Sequence, residues 1–169
     1  VAPVKCFVGS YNPVTGGATA ASACLPCAPS RYCSDTGLAA PSGPCGAGYY
    51  CPGNSSVPED KPCPVGHYCP TGSAFPYGCP DGTYQPHMNR SSCLPCTAGS
   101  YCLRNASAPT ICPVGAYCPT GTGQPVPCPN GRYGRVTGLS NASECASCPA
   151  GSYCRGGAVA GNCSAGYIC

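Results

Sequence analysis

Residues 63–69 read CPVGHYC, and residues 112–118 read CPVGAYC. Two cysteines, a proline, a glycine and a tyrosine return at the same spacing. A fixed internal period outranks any single motif, because it identifies the building unit of the fold. The pattern C-x-x-G-x-Y starts at Cys6, Cys27, Cys45, Cys63, Cys79, Cys96, Cys112, Cys128, Cys148 and Cys163. The ten repeats have a mean period of about 17 residues. Glycine stands three places after the starting cysteine in every repeat but the second, which has Ser30. Five places after it stand Tyr11, Tyr32, Tyr50, Tyr68, Tyr84, Tyr101, Tyr117, Tyr133 and Tyr153. The tenth repeat, CSAGYIC, carries Ile168 there instead.

Every repeat holds two cysteines. In the short repeats the second follows directly after the tyrosine position, giving 27/33, 45/51, 63/69, 96/102, 112/118, 148/154 and 163/169. In the first, fifth and eighth repeats it comes later, at Cys24, Cys93 and Cys145. These long repeats open three blocks, 1–78, 79–127 and 128–169, holding four, three and three repeats. The chain opens without an initiator Met and stops on a repeat's last cysteine, so it reads as an excerpt of a longer array.

Composition fits this reading. Leu, Ile, Val and Phe total 19 of 169 residues, too few for an ordinary packed core. Charged residues make up only 8%, so the chain lacks the high charge of disordered sequences. Cysteine, with 20 copies, supplies the missing constraint by closing loops. Paired cysteines at this density require an oxidising compartment. Five of the seven asparagines, Asn54, Asn89, Asn105, Asn141 and Asn162, stand in N-x-S sequons. This excess predicts N-linked glycans on a secreted or cell-surface chain. A scattered net charge of +3 gives no nucleic-acid footprint. No stretch reaches the length and apolarity of a membrane-spanning helix.

The recurring chemistry of each repeat is conformational. Glycine gives access to positive φ, and a proline after the first cysteine, as at Pro64, fixes its own φ. The two together predict a tight turn. The Gly- and Pro-rich spacers exclude helices. The expected fold is small and disulfide-rich: an elongated, rod-like tandem array of short β-hairpin and turn units with almost no α-helix. Each repeat is expected to share contacts with its neighbours only, and the tyrosines are expected to supply much of the buried area.

Sequence does not fix disulfide pairing. The long repeats favour Cys6–Cys24, Cys79–Cys93 and Cys128–Cys145. Three schemes remain open for the short ones: closure within each C-x5-C, exchange between neighbours, or linkage of a second cysteine to the next repeat's first. The partners of Cys27, Cys33, Cys45, Cys51, Cys63, Cys69, Cys96, Cys102, Cys112, Cys118, Cys148, Cys154, Cys163 and Cys169 therefore stay unassigned here.

Catalytic and metal-binding readings fare poorly. The C-x-x-C pairs at 24/27, 93/96 and 145/148 lie in Pro-rich coil, without the βαβ context of a redox enzyme. The copies are too far apart for paired zinc knuckles. His67 fills a variable slot of its repeat, and neither it nor His87 is tied to a nucleophile by a motif. The expectation is no enzyme activity, no metal and no cofactor beyond covalent glycans.

The stretches CPDGTYQPHMNRSSCLPCTAGSY from Cys79 and CPNGRYGRVTGLSNASECASCPAGSY from Cys128 resemble the ephrin-receptor-like cysteine-rich repeats. CFVGSYNPVTGGATAASACLPCAPSRY from Cys6 is a looser copy. The resemblance implies extracellular, disulfide-bonded, elongated modules without catalysis. The seven short repeats depart from that family in the cysteine that follows the tyrosine position. A structural role is therefore expected, with copies of the chain and glycans as partners in a fibre, surface hair or coat. The alternative is a receptor or adhesion ectodomain serving as a stalk or ligand platform. That alternative calls for a divergent repeat with an exposed apolar patch, which the sequence alone does not display.

Overall fold

The structure, a computed structural model, describes residues 5–14 and 23–164. Each of the first nine repeats forms one turn followed by one minimal antiparallel hairpin, and the described residues contain no α-helix. In the fourth repeat β7 (His67–Tyr68) pairs with β8 (Tyr77–Gly78), with Tyr68 opposite Tyr77. In the seventh repeat β13 (Ala116–Tyr117) pairs with β14 (Val126–Pro127) in the same register. In the two-residue ribbons the first strand is the tyrosine and the residue before it. The second is the pair of residues just before the next starting cysteine. Proline is tolerated in that second strand because these ribbons consist of edges alone, where a missing donor disrupts no neighbouring strand. The ninth repeat has a longer ribbon, β17 (Ser152–Arg155) against β18 (Ala158–Asn162), with a register shift between Tyr153 and Cys154.

The turn before each hairpin follows from the glycine. His67 N–H donates to Pro64 O at 3.3 Å, and Thr83 N–H donates to Pro80 O at 3.1 Å. The third turn residue has φ of 71° at Gly66 and 83° at Gly82, the positive value that a type II turn demands. Ser30 adopts φ of 76° in the one repeat without glycine.

Backbone contacts divide the chain into two compact units, Val1–Gly78 with Gln85–Cys93, and Cys79–Tyr84 with Leu94–Cys169. One ladder recurs inside each. In the first unit, Gly9, Ser30, Gly48 and Gly66 donate their N–H to Cys33, Cys51, Cys69 and Gln85 of the following repeat, at 2.8–2.9 Å. The carbonyls of Gly9, Ser30 and Gly48 accept in return, from the N–H groups of Cys27, Cys45 and Cys63. In the second unit Gly82, Gly99, Gly115 and Gly131 donate to Cys102, Cys118, Gly134 and Cys154. The turn residue thus commits both its backbone groups to the next repeat.

A second positive-φ position lies nine or ten residues after the starting cysteine in the second to eighth repeats. It holds Gly37, Asn54, Gly72 and Asn89 in the first unit, and Asn105, Gly121 and Gly138 in the second. Each of these N–H groups donates to the starting cysteine's carbonyl of the preceding repeat, as Asn54 to Cys27 at 2.9 Å and Gly121 to Cys96 at 2.8 Å.

Contacts reach farther than nearest neighbours, contrary to the sequence expectation. A Cβ placed on Gly9 would lie 2.5 Å from the carbonyl oxygen of Asn54, two repeats on. On Gly82 it would lie 2.2 Å from Gly121 O. The turn glycine is thus needed twice, for its φ and for backbone-to-backbone approach.

The core is sulfur. Apart from Ala116 and Leu139, every buried hydrophobic side chain among the described residues is a cysteine. The tyrosines do not carry the buried area expected of them: from Tyr11 to Tyr133 the repeat tyrosines are half-buried, and Tyr153 is 47% exposed. They act as lids. Tyr101 packs on the cluster of Cys112, Ala116 and Cys118, and Tyr117 on that of Cys128, Leu139 and Cys145. Each of these two rings thereby covers the disulfide of the following repeat.

The two roles of glycine separate experimentally. Gly131 has φ of 79° but nothing within 4 Å of an added Cβ. Gly131→Ala therefore loses about 1–2 kcal/mol, the cost of a left-handed L-residue. Gly82→Ala carries the same cost plus displacement of Gly121 O, and its loss in chemical denaturation should be clearly larger. Equal losses at the two positions would contradict the close-approach role.

Candidate functional site

The residues with chemical potential are the cysteines, the sequon asparagines, two histidines and a few acids. The cysteines among the described residues are committed to disulfides. Cys6 bonds Cys24, and Cys128 bonds Cys145. Cys79 and Cys93 are both disulfide-bonded as well. The short repeats close on themselves: Cys27–Cys33, Cys45–Cys51, Cys63–Cys69, Cys96–Cys102, Cys112–Cys118 and Cys148–Cys154. Their Cα–Cα distances of 5.7–6.0 Å suit a disulfide, because the turn brings the ends of the seven-residue stretch together. Cys163 is disulfide-bonded, and Cys169 lies outside the described residues.

This pairing decides the chemistry of two C-x-x-C pairs. Cys24 is joined to Cys6 while Cys27 is joined to Cys33. Cys145 and Cys148 divide in the same way, toward Cys128 and Cys154. In both cases the two sulfurs belong to separate closures, whereas a dithiol redox couple needs them to share one bond.

In the fifth repeat Gln85 stands where the short repeats have their second cysteine. It is 3% exposed. Its Nε2 donates to Ser92 O at 2.8 Å, and its Oε1 accepts from His87 N–H at 3.1 Å. A buried amide thus folds the loop back where the short repeats use a disulfide. The sequence offered Gln85 only as a gap in the cysteine pattern. His67 is half-buried with Nδ1 2.9 Å from Val65 O, and His87 is exposed. The structure does not bring the two imidazoles together with any group of metal-ligating side chains among the described residues.

All five sequon asparagines are exposed, in two settings. Asn54, Asn89 and Asn105 occupy the second positive-φ position, with φ of 55°, 59° and 62°. Asn89 Nδ2 also donates to Tyr49 Oη at 3.0 Å. Asn141 instead has extended backbone and caps a short 3₁₀ turn, Ala142–Glu144, accepting from Ser143 N–H at 2.9 Å. Asn162 ends strand β18.

Around that cap, the Ser140 hydroxyl and backbone N–H donate to Glu144 at 2.5 and 2.8 Å. These bonds hold the Glu144 carboxyl below its ordinary range.

One patch was not legible in the spacing. Phe75 and Tyr77 lie 57% and 39% exposed, with ring centroids 4.8 Å apart. Tyr68 is 5.7 Å from Tyr77 across the hairpin. The spacer SAFPYG thus sets an aromatic cluster on the surface of the fourth repeat, a patch that the sequence alone does not display.

No protein-family model matches the chain, and no curated protein matches it. Among the described residues, no helix is long and apolar enough to cross a membrane.

Two measurements test this site description. Removing one short closure, as in Cys63→Ala with Cys69→Ala, releases a seven-residue loop and costs about 2 kcal/mol in chain entropy, against about 3 kcal/mol for Cys128→Ala with Cys145→Ala. Denaturant titration under non-reducing conditions reads the difference, and an inverted order would contradict loop-length control. The second concerns pH. The folded pKa of Glu144 is lowered, so its contribution is present above the unfolded carboxylate pKa and is lost as pH falls through the folded value. Amide exchange at Ser140 and Ser143 should quicken there, and Glu144→Gln should abolish the pH step.

Proposed function

We propose that the chain is a non-catalytic structural glycoprotein of the extracellular space or cell surface, whose repeats assemble with other copies into a fibre, surface hair or coat. The observation that supports this most directly is the recurrence of one set of inter-repeat bonds throughout each compact unit. A surface built from nearly identical repeats offers the same contact many times, and repeated head-to-tail contacts generate filaments. The disulfides favour an oxidising exterior. The resemblance of the long repeats to ephrin-receptor-like cysteine-rich repeats points the same way.

The exposed cluster of Phe75, Tyr77 and Tyr68 favours a second reading, a ligand-binding or adhesive ectodomain. Large uncharged aromatic surfaces on soluble chains often serve recognition.

Electron microscopy of native material separates the two. The structural reading expects ordered filaments or sheets with an axial repeat tied to the array. Dispersed monomers that bind a soluble ligand saturably, with binding lost in Phe75→Ser/Tyr77→Ser, would reject it in favour of the second.

A further inference from the structure

We propose that the second left-handed position of the repeat is a glycan-bearing slot of the array, holding three of its five sequons, so that these attachment points are set by the backbone ladder itself. This deepens, and rests on, the reading of the chain as a secreted glycoprotein. The non-glycine residues with positive φ among the described residues are Ser30, Asn54, Asn89 and Asn105. Ser30 belongs to the first turn. The other three are all sequon asparagines, and all fall in the second left-handed position.

Asparagine is a natural occupant of left-handed backbone, and that alone could place it there. It does not explain the residue two places on. After Asn54, Asn89 and Asn105 come Ser56, Ser91 and Ser107. After the glycine copies Gly37, Gly72 and Gly121 come Ala39, Ala74 and Gly123. Only Gly138 is followed by serine, and Ser140 has a structural task in binding Glu144. The hydroxyls of Ser56, Ser91 and Ser107 make no hydrogen bond among the described residues. Asparagine and an otherwise idle serine thus travel together, as an acceptor sequon requires and a left-handed backbone does not.

The geometry suits display. The backbone of this position is held inside the ladder, Asn54 N–H on Cys27 O, Asn89 N–H on Cys63 O and Asn105 N–H on Cys79 O, all at 2.9 Å. The side chains are exposed. In the transfer, Nδ2 forms a bond to the anomeric carbon of a lipid-linked oligosaccharide diphosphate. The diphosphate departs, one Nδ2 proton passes to the transferase's base, and the other stays on nitrogen. At Asn89 that nitrogen adjoins Tyr49 Oη, so the first sugar there starts beside the tyrosine ring.

The test moves the site to a repeat that lacks it. Gly72 occupies the same position with φ of 76°, and its nearest neighbour to an added Cβ is Pro44 at 3.7 Å. Gly72→Asn with Ala74→Ser writes a sequon there. The full chain is secreted from eukaryotic cells, and site occupancy is read by mass spectrometry with and without peptide N-glycosidase. Glycans on Asn54, Asn89 and Asn105, a new one at position 72 and an unchanged thermal midpoint are expected. Gly37→Asn with Ala39→Ser is the second variant, should the first fail to fold. Native sites occupied while a folded, secreted variant stays bare at its new asparagine would overturn the slot assignment and leave the glycoprotein reading standing. Bare asparagines at 54, 89 and 105 in the native chain would overturn both.

Discussion

The fold depends on one exchange: the turn glycine gives its N–H and its carbonyl to the next repeat. Gly48 donates to Cys69 O and accepts from Cys63 N–H, and Gly99 does the same with Cys118 and Cys112. A stretch of about 17 residues cannot bury a core, so its stability has to come from its neighbours. Here the neighbours contribute chiefly backbone hydrogen bonds, with a tyrosine ring as the apolar contact at Tyr101 and Tyr117. Local closure by disulfide fixes the turn, the turn aims the glycine, and the glycine joins the repeats. Positive φ and a missing side chain serve this joining together, which is why glycine holds the position in every repeat but the second.

With so few aliphatic residues, the protein uses sulfur for its interior and tyrosine for its lids. Buried disulfides fill the centres of the repeats, while Tyr101 and Tyr117 each cover the following one. The buried polar side chains, Ser55, Ser73 and Gln85, all find partners, in Asp60, Pro70 O and the loop of the fifth repeat. This pairing matters more than usual, because a core so small has little apolar gain to set against an unpaired buried group.

Much of the fold was legible in CPVGHYC once it was placed in register. The hairpins and the lack of helix follow from Gly and Pro in the spacers, which permit little else. Pairing of the short repeats was not legible, because self-closure, exchange and forward linkage all satisfy the same cysteine spacing. The choice rests on how close the turn brings the two ends of each stretch, 5.7–6.0 Å between Cα atoms, and spacing does not carry that distance. The second left-handed position left a trace, glycine or asparagine nine or ten residues after the starting cysteine. Its one-residue wander hid it, and Asn54, Asn89 and Asn105 drew notice as sequons instead. The tyrosines misled for a simpler reason: they are the largest apolar groups in each repeat, yet their volume exceeds what a two-residue ribbon can enclose.

Self-closure of the short repeats has a mechanical consequence. The disulfides Cys45–Cys51, Cys63–Cys69, Cys96–Cys102 and Cys112–Cys118 each begin and end within one repeat, so none of them rivets a repeat to its neighbour. Under tension the ladder bonds between repeats yield before any covalent bond does. Each short repeat then releases only its spacer, such as residues 70–78, while the seven residues inside the closure stay locked. At about 3.3–3.6 Å per extended residue, such a spacer stretches to roughly 30 Å and then stops. The extension of each short repeat is thus capped by the length of its spacer, with the closure left intact.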